Sequence, residues 1–343
     1  MDSDNNSFDA AILAHDEAVA ASGIEVWTGA EPTFTDRQSE AAEWLSEALG
    51  DSKQSYACHI IKQLRHRYPG SIILRTLGRQ YPDEPRPRWS LGLYRRRDGQ
   101  SLAENLPLDP LDKTCNCAQQ DMIVFWQALT NQLDRDARTT ISFRIDADQP
   151  GVDKAAAGQV DTEQTDTDQV LKTMGLRILY TIDKQAISVD PGEDSRLSRA
   201  AVQSQPIPPE GLEDELAADG LYLVAIGCAA SGPDNSLQPC IELPGFTEVE
   251  QFIDFVQCVA IAATEAELSD LVWRGVPPPV DAGVAWMTLT PDPAVLEVNE
   301  APADSVTAFL DMSRMLFNVV QSCGLVPYRL NYNGDISESG GGG

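Results

Sequence analysis

The stretch TPDPAVLEVNEAP, residues 290–302, decides the fold prediction for this chain. Its centre, residues 294–298, is an apolar run that predicts a short β-strand, and prolines on both sides stop the strand from running on. Glu297 and Asn299 come out of this run two residues apart. Side chains at positions i and i+2 of a strand lie on the same face. The sequence therefore predicts a carboxylate and a carboxamide side by side at a strand end.

The rest of the chain mixes helical and strand patterns without strict alternation. Amphipathic periodicity and turn signals predict helices and strands throughout. The predicted helices are 8–22, 39–49, 53–68, 120–135, 248–267 and 305–323. The predicted strands are 24–29, 71–75, 88–96, 139–145, 221–228, 240–243, 285–289, 294–298 and 328–334. This order favours an α+β fold with a mixed, largely antiparallel sheet and helices packed on it.

Composition and charge exclude several classes of protein. The chain has 343 residues, 42% of them hydrophobic, so it is globular in class and long enough for two domains. The net charge of −28 argues against nucleic acid and against anionic membranes as partners. The N-terminus lacks a signal-peptide pattern, and no run is long enough for a membrane helix. Seven cysteines without a repeating spacing predict a cytoplasmic protein with reduced thiols. The composition is also compatible with an oligomer.

Basic residues are concentrated between Lys62 and Arg97. This stretch holds ten Lys or Arg residues against two acidic ones, so its net charge is +8 in a chain of −28. The arginines around the YPDEP segment are Arg75, Arg79, Arg86 and Arg88. Guanidinium groups bind phosphate or carboxylate in a bidentate way, which predicts an anionic ligand. The alternative is local structure, in which Asp83 and Glu84 pair with these arginines.

One further carboxylate position bears on the strand-end pair. Glu297 and Asn299 offer the hard oxygen ligands that Mg²⁺ prefers. Glu31, just beyond the predicted strand 24–29, is a candidate third ligand. The alternative is a turn with solvated carboxylates. Cys115 and Cys117 do not form a zinc-binding pattern, because the sequence has no second pair of Cys or His residues at a suitable spacing.

Five stretches together resemble, in order, the motifs of the putative amidoligase family. They are VWTGAEPTFTDR, GRQYPDEPRPRWSLGLYRRRDG, GVPPPVD, TPDPAVLEVNEAPA and YNGDISESGGGG. The resemblance implies a glutamine synthetase-like fold and a bacterial protein of a kind often fused to a transglutaminase-like domain. It also implies ATP and Mg²⁺ as cofactors. The residues that match its motifs are Glu31, Arg79, Glu84, Arg88, Asp281, Asp292, Glu297 and Asn299.

In the predicted domain organisation, residues 1–145 and 170–343 form the two parts of one catalytic domain. Residues 146–169 carry seven acidic residues and one lysine with little apolar surface, which predicts a flexible acidic linker between the parts.

The resemblance leads to a specific functional hypothesis, an ATP- and Mg²⁺-dependent carboxylate–amine ligase that acts through an acyl phosphate. Glu31, Glu297 and Asn299 would bind the metal. Arg79, Arg88 and Glu84 would be catalytic, and Arg75, Arg86, Asp281 and Asp292 would bind the nucleotide. The substrates would be small-molecule or peptide carboxylates and amines.

Two alternatives stay open. The first is a non-catalytic amidoligase-like binding module, which is favoured by the end of the given sequence at its glycine-rich motif. The second is an ATP-grasp type ligase, which would explain Glu297 and Asn299 equally well. Such an enzyme should carry a lysine pair on strands ahead of the metal residues, and no convincing pair is present.

Overall fold

The fold mixes helices with a large, mostly antiparallel sheet, as the α+β prediction requires. The computed structural model describes residues 2–82, 84–111, 115, 118–135, 138–144, 175–182, 187, 189, 193–198, 215–230, 237–330 and 336–337. The helices are α1 (Asp2–Ser22), α2 (Asp51–Arg67), α3 (Gln119–Leu133), α4 (Ser195–Ser198), α5 (Glu215–Ala218), α6 (Val249–Glu265) and α7 (Val306–Ser322). The predicted linker 146–169 lies outside the described residues.

The strands are numbered in chain order. They are β1 (Thr33–Thr35), β2 (Ile72–Leu77), β3 (Trp89–Arg96), β4 (Thr139–Arg144), β5 (Leu176–Thr181), β6 (Leu221–Ala230), β7 (Leu237–Leu243), β8 (Val272–Gly275), β9 (Val284–Asp292), β10 (Val295–Glu300), β11 (Val326–Pro327), β12 (Arg329–Leu330) and β13 (Ile336–Ser337). The chain divides into two compact units. The first comprises Met1–Arg67 and Trp286–Gly343, and the second comprises Tyr68–Ala285.

In the first unit the strands follow the order β11-β1-β10-β9, and every neighbouring pair is antiparallel. Phe34 of β1 stands opposite Leu296 of β10, and both side chains are fully buried. The ring of Phe34 meets that of Phe317 on α7 edge to face, with centroids 5.4 Å apart. One face of these strands is therefore covered by α7, which leaves the polar residues of β10 on the other face.

In the second unit the order is β3-β2-β8-β7-β6-β5-β4. The pairs β2–β8 and β7–β8 are parallel, and the other neighbours are antiparallel. An aromatic cluster joins the sheet to α6, because Tyr180 of β5 stacks on Tyr222 and on Phe255 with centroid distances of 5.2 and 6.3 Å. Trp273 and Ile241 are fully buried and lie opposite each other on β8 and β7.

Most predicted elements are confirmed within one or two residues, but two predictions near the N-terminus are wrong. The predicted strand 24–29 is reduced to a single bridge between Thr28 and Ala303. The predicted helix 39–49 is only a 3₁₀ turn, Ala42–Trp44.

The reason for the second error is tertiary. Glu43 accepts hydrogen bonds from the backbone amides of Ser52 (3.3 Å) and Lys53 (3.0 Å), so it caps α2 instead of continuing a helix. A side chain at Gly50 would collide with Glu43.

Within the described residues, no helix combines the length and apolar character needed to cross a bilayer.

A carboxylate from α1 caps the first turn of α7. Asp16 accepts hydrogen bonds from the amides of Val306 (3.1 Å) and Thr307 (2.9 Å) and from the Thr307 hydroxyl (2.6 Å). Ser305, the N-cap residue, accepts from the amide of Ala308. These bonds satisfy three of the amides that a helix start leaves without partners. The hydrogen bonds from Thr307 lower the pKa of Asp16 to about 2.

We expect Asp16→Asn to lower the melting temperature at pH 7, because a neutral amide caps the α7 N-terminus less well than a carboxylate. The folded pKa of Asp16 lies below its ordinary value of 3.8, so its contribution is present above that value and is lost as the pH falls towards 2. Thermal melts at pH 7 and pH 3 should therefore show a smaller gap between wild type and variant at pH 3. Asp9→Asn, at a half-exposed partner of Arg314, is the control. An equal melting temperature at pH 7 would contradict the capping role.

Candidate functional site

The predicted pair on β10 lies on one face of the strand and is joined by a hydrogen bond. Glu297 and Asn299 are partly exposed and alternate with the buried residues Leu296 and Val298. The Asn299 side-chain amide donates to Oε1 of Glu297 over 2.8 Å. This bond holds the carboxylate in one orientation and keeps an amide oxygen close beside it.

Threonines surround the pair on the neighbouring strands. Thr33 of β1 stands directly opposite Glu297. On β9, Thr290 stands opposite Glu297 and Thr288 opposite Asn299. Cross-strand partners share a face, so hydroxyl, carboxylate and amide groups form one polar patch. Thr33 also donates its hydroxyl hydrogen to the carbonyl of Tyr328.

Glu31 lies on a chain segment that runs next to this patch. The segment before β1 runs alongside β10, because the Val298 amide donates to the carbonyl of Pro32 over 2.9 Å. Glu31 precedes Pro32, is exposed, and stands two residues from Thr33. Side chains two apart in an extended segment share a face. The three predicted metal ligands therefore lie on adjacent segments of the first unit.

The donor set of this patch suits a hard cation. Mg²⁺ binds one or two protein carboxylates and keeps several waters. Among the described residues, no group of three or more His, Cys, Asp or Glu side chains could hold a metal ion. Two carboxylates with an amide oxygen fit the Mg²⁺ pattern and do not fit a zinc cage.

In the second unit, Arg79 and Arg88 face each other across the hairpin that joins β2 to β3. The Arg88 amide donates to the Arg79 carbonyl over 3.0 Å. The Arg88 guanidinium donates to Oε1 of Glu84, with Nε at 2.9 Å and Nη2 at 2.7 Å, and lies 4.2 Å from the ring centre of Tyr81. Glu84 thus pairs with Arg88, as predicted by the alternative in which the acidic residues of this segment pair with its arginines. This ion pair fixes the direction of the Arg88 guanidinium. The side chains of Arg79 and Arg86 are exposed.

Three other predicted site residues are engaged in local structure. Arg75 makes a bidentate pair with buried Asp109, with Nε–Oδ2 and Nη2–Oδ1 distances of 2.9 and 2.6 Å. Asp281 accepts hydrogen bonds from the amides of Gly283 and Val284, so it forms the turn before β9. Asp292, in the first unit, ends β9, and its carbonyl accepts from a lysine on α2.

That lysine, Lys53, fixes the turn that leads into β10. It is fully buried, and its ammonium donates to the carbonyls of Glu47 (3.0 Å), Ala48 (3.0 Å) and Asp292 (2.6 Å). Ala294, the residue before β10, has a φ of 65°. A turn with a strained non-glycine residue needs support from its surroundings, and Lys53 provides it.

Sequence reasoning missed several charged residues buried on the strands. Arg177 on β5 and Glu242 on β7 are 2% and 3% exposed, and Arg274 on β8 is partly buried. Glu300, at the end of β10, is 4% exposed, and neither of its carboxylate oxygens has a hydrogen-bond partner among the described residues. The sequence signal for such residues is a single charged residue inside an otherwise apolar strand. Charged side chains are rarely buried unless they are paired or otherwise compensated, so this pattern marks positions of interest.

Comparison with protein families identifies the family to which this chain belongs. The chain matches the family described as "Putative amidoligase enzyme" over residues 3–189 and 219–343. This match covers most of the chain, so the protein belongs to that family, and the resemblance inferred from its motifs is confirmed. No curated protein and no solved structure matches the chain.

Glu300 makes the buried face of β10 sensitive to pH. Burial raises the pKa of Glu300 from its ordinary value of 4.5 to about 7. The folded state therefore holds this proton more tightly than the unfolded state does. The associated stability is complete below about pH 4.5 and falls as the pH rises towards 7, by about 3 kcal/mol in all.

We expect Glu300→Gln, which cannot ionise, to melt several degrees above wild type at pH 8. At pH 5.5 the gap should be smaller, because Glu300 is then largely protonated in the folded protein. Thermal melts at the two pH values measure both differences, with Glu40→Gln at an exposed position as the control. A variant that melts below wild type at pH 8 would show that the Glu300 carboxylate is stabilised by charge in the folded state.

Proposed function

We propose that this member of the amidoligase family is an ATP- and Mg²⁺-dependent carboxylate–amine ligase with a glutamine synthetase-like fold. The family assignment supports a ligase-type enzyme. The observation that carries the proposal is the hydrogen-bonded pair of Glu297 and Asn299, beside which the segment of Glu31 runs. A carboxylate and a carboxamide held together on an open strand face are suited to a hard cation that accompanies phosphates.

Glu31, Glu297 and Asn299 would hold the Mg²⁺ ion. When bound, the ion would neutralise charge on the nucleotide phosphates. The protein groups around it have a positioning role. Asn299 orients the Glu297 carboxylate through its amide, and Lys53 fixes the turn that delivers β10. Thr33, Thr288 and Thr290 add hydroxyl groups that can bond to phosphate oxygens or to metal-bound water.

The proposed reaction has two steps. A substrate carboxylate oxygen attacks the γ-phosphorus of ATP, the bond from that phosphorus to the bridging oxygen breaks, and ADP leaves. The resulting acyl phosphate is attacked at its carbonyl carbon by an amine nitrogen. The bond from that carbon to the phosphate oxygen then breaks, inorganic phosphate leaves, and the nitrogen gives up a proton. The product is an amide, and the substrates are small molecules or peptides.

Charge on the transferred phosphoryl group calls for cationic side chains. In this proposal Arg79 and Arg88 would supply them, and Glu84 keeps the Arg88 guanidinium in a fixed direction. Arg86 is exposed and suited to contact the nucleotide. Arg75 and Asp281 are bonded locally, so in this proposal they shape the loops around the nucleotide, while Asp292 supports the turn before β10.

We expect ATP to bind only in the presence of Mg²⁺, and we expect Glu297→Ala to abolish that binding while the fold persists. A chain of net charge −28 repels an anionic nucleotide overall, so the cation must supply much of the attraction. Glu297 is partly exposed, and truncating it opens no core cavity, so the free energy of unfolding should change by less than about 2 kcal/mol.

Calorimetric titration of ATP into wild type and variant, with and without Mg²⁺, measures these affinities. Glu40→Ala, an exposed carboxylate of the same unit, is the matched control and should bind like wild type. Equal affinity of wild type and Glu297→Ala would remove Glu297 from the metal site. Absence of binding to wild type would favour the non-catalytic binding module.

A further inference from the structure

A cleft in the first unit lies between α1, the segment that follows α1, and the start of α7. Its volume is about 650 Å³, which falls within the range of ~300–1,000 Å³ that is typical of small-molecule sites. From α1 it is lined by Leu13, Asp16, Glu17 and Ala20. These positions have the spacing i, i+3, i+4 and i+7, so they form one face of the helix. A regular element therefore supplies one wall of the cleft.

The walls of the cleft expose apolar side chains. After α1 the chain turns at Gly23, which has a φ of 70°, and residues 24–27 then line the cleft. Ile24, Leu13 and Trp27 are 62%, 53% and 48% exposed. Exposed apolar side chains that are rimmed by polar residues are typical of ligand-binding grooves. Their apolar surface can therefore contact the body of a ligand.

The charged groups at the cleft are mainly acidic. Among the described residues, the lining holds four carboxylates and neither lysine nor arginine, and His15 is its one basic side chain. One of the four, Asp16, caps α7. The other three, Glu17, Glu25 and Asp304, take part in no ion pair within the described part of the chain. Like charges that gather without a counter-ion repel one another, so a bound cation would relieve this repulsion.

The start of α7 does not make the cleft an anion site. Its first amides are already bonded to Asp16 and Ser305, and the carboxylate of Asp16 offsets the positive end of the helix dipole. The three other carboxylates remain around the apolar walls. The ligand that fits both features is a cation with an apolar body. An ammonium group is also attracted to the face of an aromatic ring such as that of Trp27.

The cleft adjoins the proposed metal ligands along the chain. Glu31 follows Trp27 by four residues, and an extended segment of four residues spans at most about 14 Å. The segment of Trp27 is tied to the chain before α7, because the Thr28 amide donates to the Ala303 carbonyl (2.9 Å) and the Ala303 amide donates to the Thr28 carbonyl (2.7 Å). Ala303 itself follows Asn299 by four residues. Two short segments therefore join the cleft to the polar patch on β10.

We propose that this cleft binds the amine substrate as an organic ammonium ion with an apolar body. The assignment rests on the proposed function, because a carboxylate–amine ligase needs a second site for its amine. Alkyl amines are protonated at pH 7, so the carboxylates recognise the form that is present. The ammonium gives its proton to water before the neutral nitrogen attacks the acyl phosphate. Leu13, Ile24 and Trp27 supply the apolar surface for the rest of the molecule.

The test measures binding of hexylamine to the full chain at pH 7 without Mg²⁺ or ATP, by ligand-observed NMR titration. Hexan-1-ol has the same body without the charge, and methylamine has the charge without the long body. We expect each of these two compounds to bind at least about ten-fold more weakly than hexylamine, because each loses one of the two contributions.

Two variants of the cleft have matched controls. Glu25→Gln removes a carboxylate of the cleft and Leu13→Gln removes part of its apolar wall. Each should raise the dissociation constant of hexylamine about three-fold or more. Both side chains are exposed, so both variants should fold. Glu40→Gln removes an exposed carboxylate elsewhere in the same unit, and Phe8→Gln removes an exposed apolar side chain of α1 outside the cleft lining. Both controls should bind hexylamine like wild type.

The proposal is overturned if hexylamine does not bind, or if hexan-1-ol binds as tightly, because the carboxylates would then have no part in recognition. It is also overturned if both cleft variants keep the wild-type affinity. The same holds if Glu40→Gln weakens binding as much as Glu25→Gln does, which would reveal a diffuse attraction to an acidic chain. Because ATP and Mg²⁺ are absent, loss of ATP binding in the calorimetric experiment leaves these outcomes unchanged, so the two proposals fail separately.

Discussion

The alternation of side chains along β10 is the constraint on which the candidate site depends. Leu296 and Val298 are fully buried, so Glu297 and Asn299 must point to the other face. Pairing with β1 on one side and β9 on the other fixes this register. A shift of one residue would bury the carboxylate and expose the apolar residues, which is strongly unfavourable. The same packing that holds the strand therefore also positions the proposed metal ligands.

Both units carry charged side chains that are buried on their strands. Arg177 and Glu300 lie in apolar surroundings and each has unused hydrogen-bonding capacity among the described residues. Residues of this kind lower stability and are retained where binding or chemistry requires them. By contrast, Lys53 is buried with three carbonyl acceptors, so its charge is satisfied within the fold. This difference separates a buried charge that the fold satisfies from two that keep unsatisfied polar atoms among the described residues.

The sequence predicted the parts of the fold that local patterns determine. The period-two alternation in β10 and the amphipathic patterns of α2, α6 and α7 gave their positions to within about two residues. Helix 39–49 failed because Glu43 bonds to α2, a tertiary interaction that periodicity does not encode. Strand 24–29 failed because, among the described residues, its backbone forms a single β-bridge, between Thr28 and Ala303.

The candidate site and the buried charges of the strands could be predicted from the sequence only in part, because some of these residues come together only in the tertiary structure. Glu297 and Asn299 are close in the chain, so their common face follows from strand geometry. Arg177, Glu242 and Arg274 come together only through the strand order of the second unit. That order includes parallel pairs between distant segments, which no local pattern specifies.

The central claim is that the chain activates a carboxylate by phosphorylation. Hydroxylamine tests it most directly, because it captures acyl phosphates as hydroxamates and can replace an unidentified amine substrate. Wild-type protein would be incubated with ATP, Mg²⁺, hydroxylamine and a panel of amino-acid and peptide carboxylates. The account predicts hydroxamate and ADP in equal amounts with at least one carboxylate, and neither product with Glu297→Ala. Formation of ADP without hydroxamate across the panel, or no reaction with any carboxylate, would contradict it.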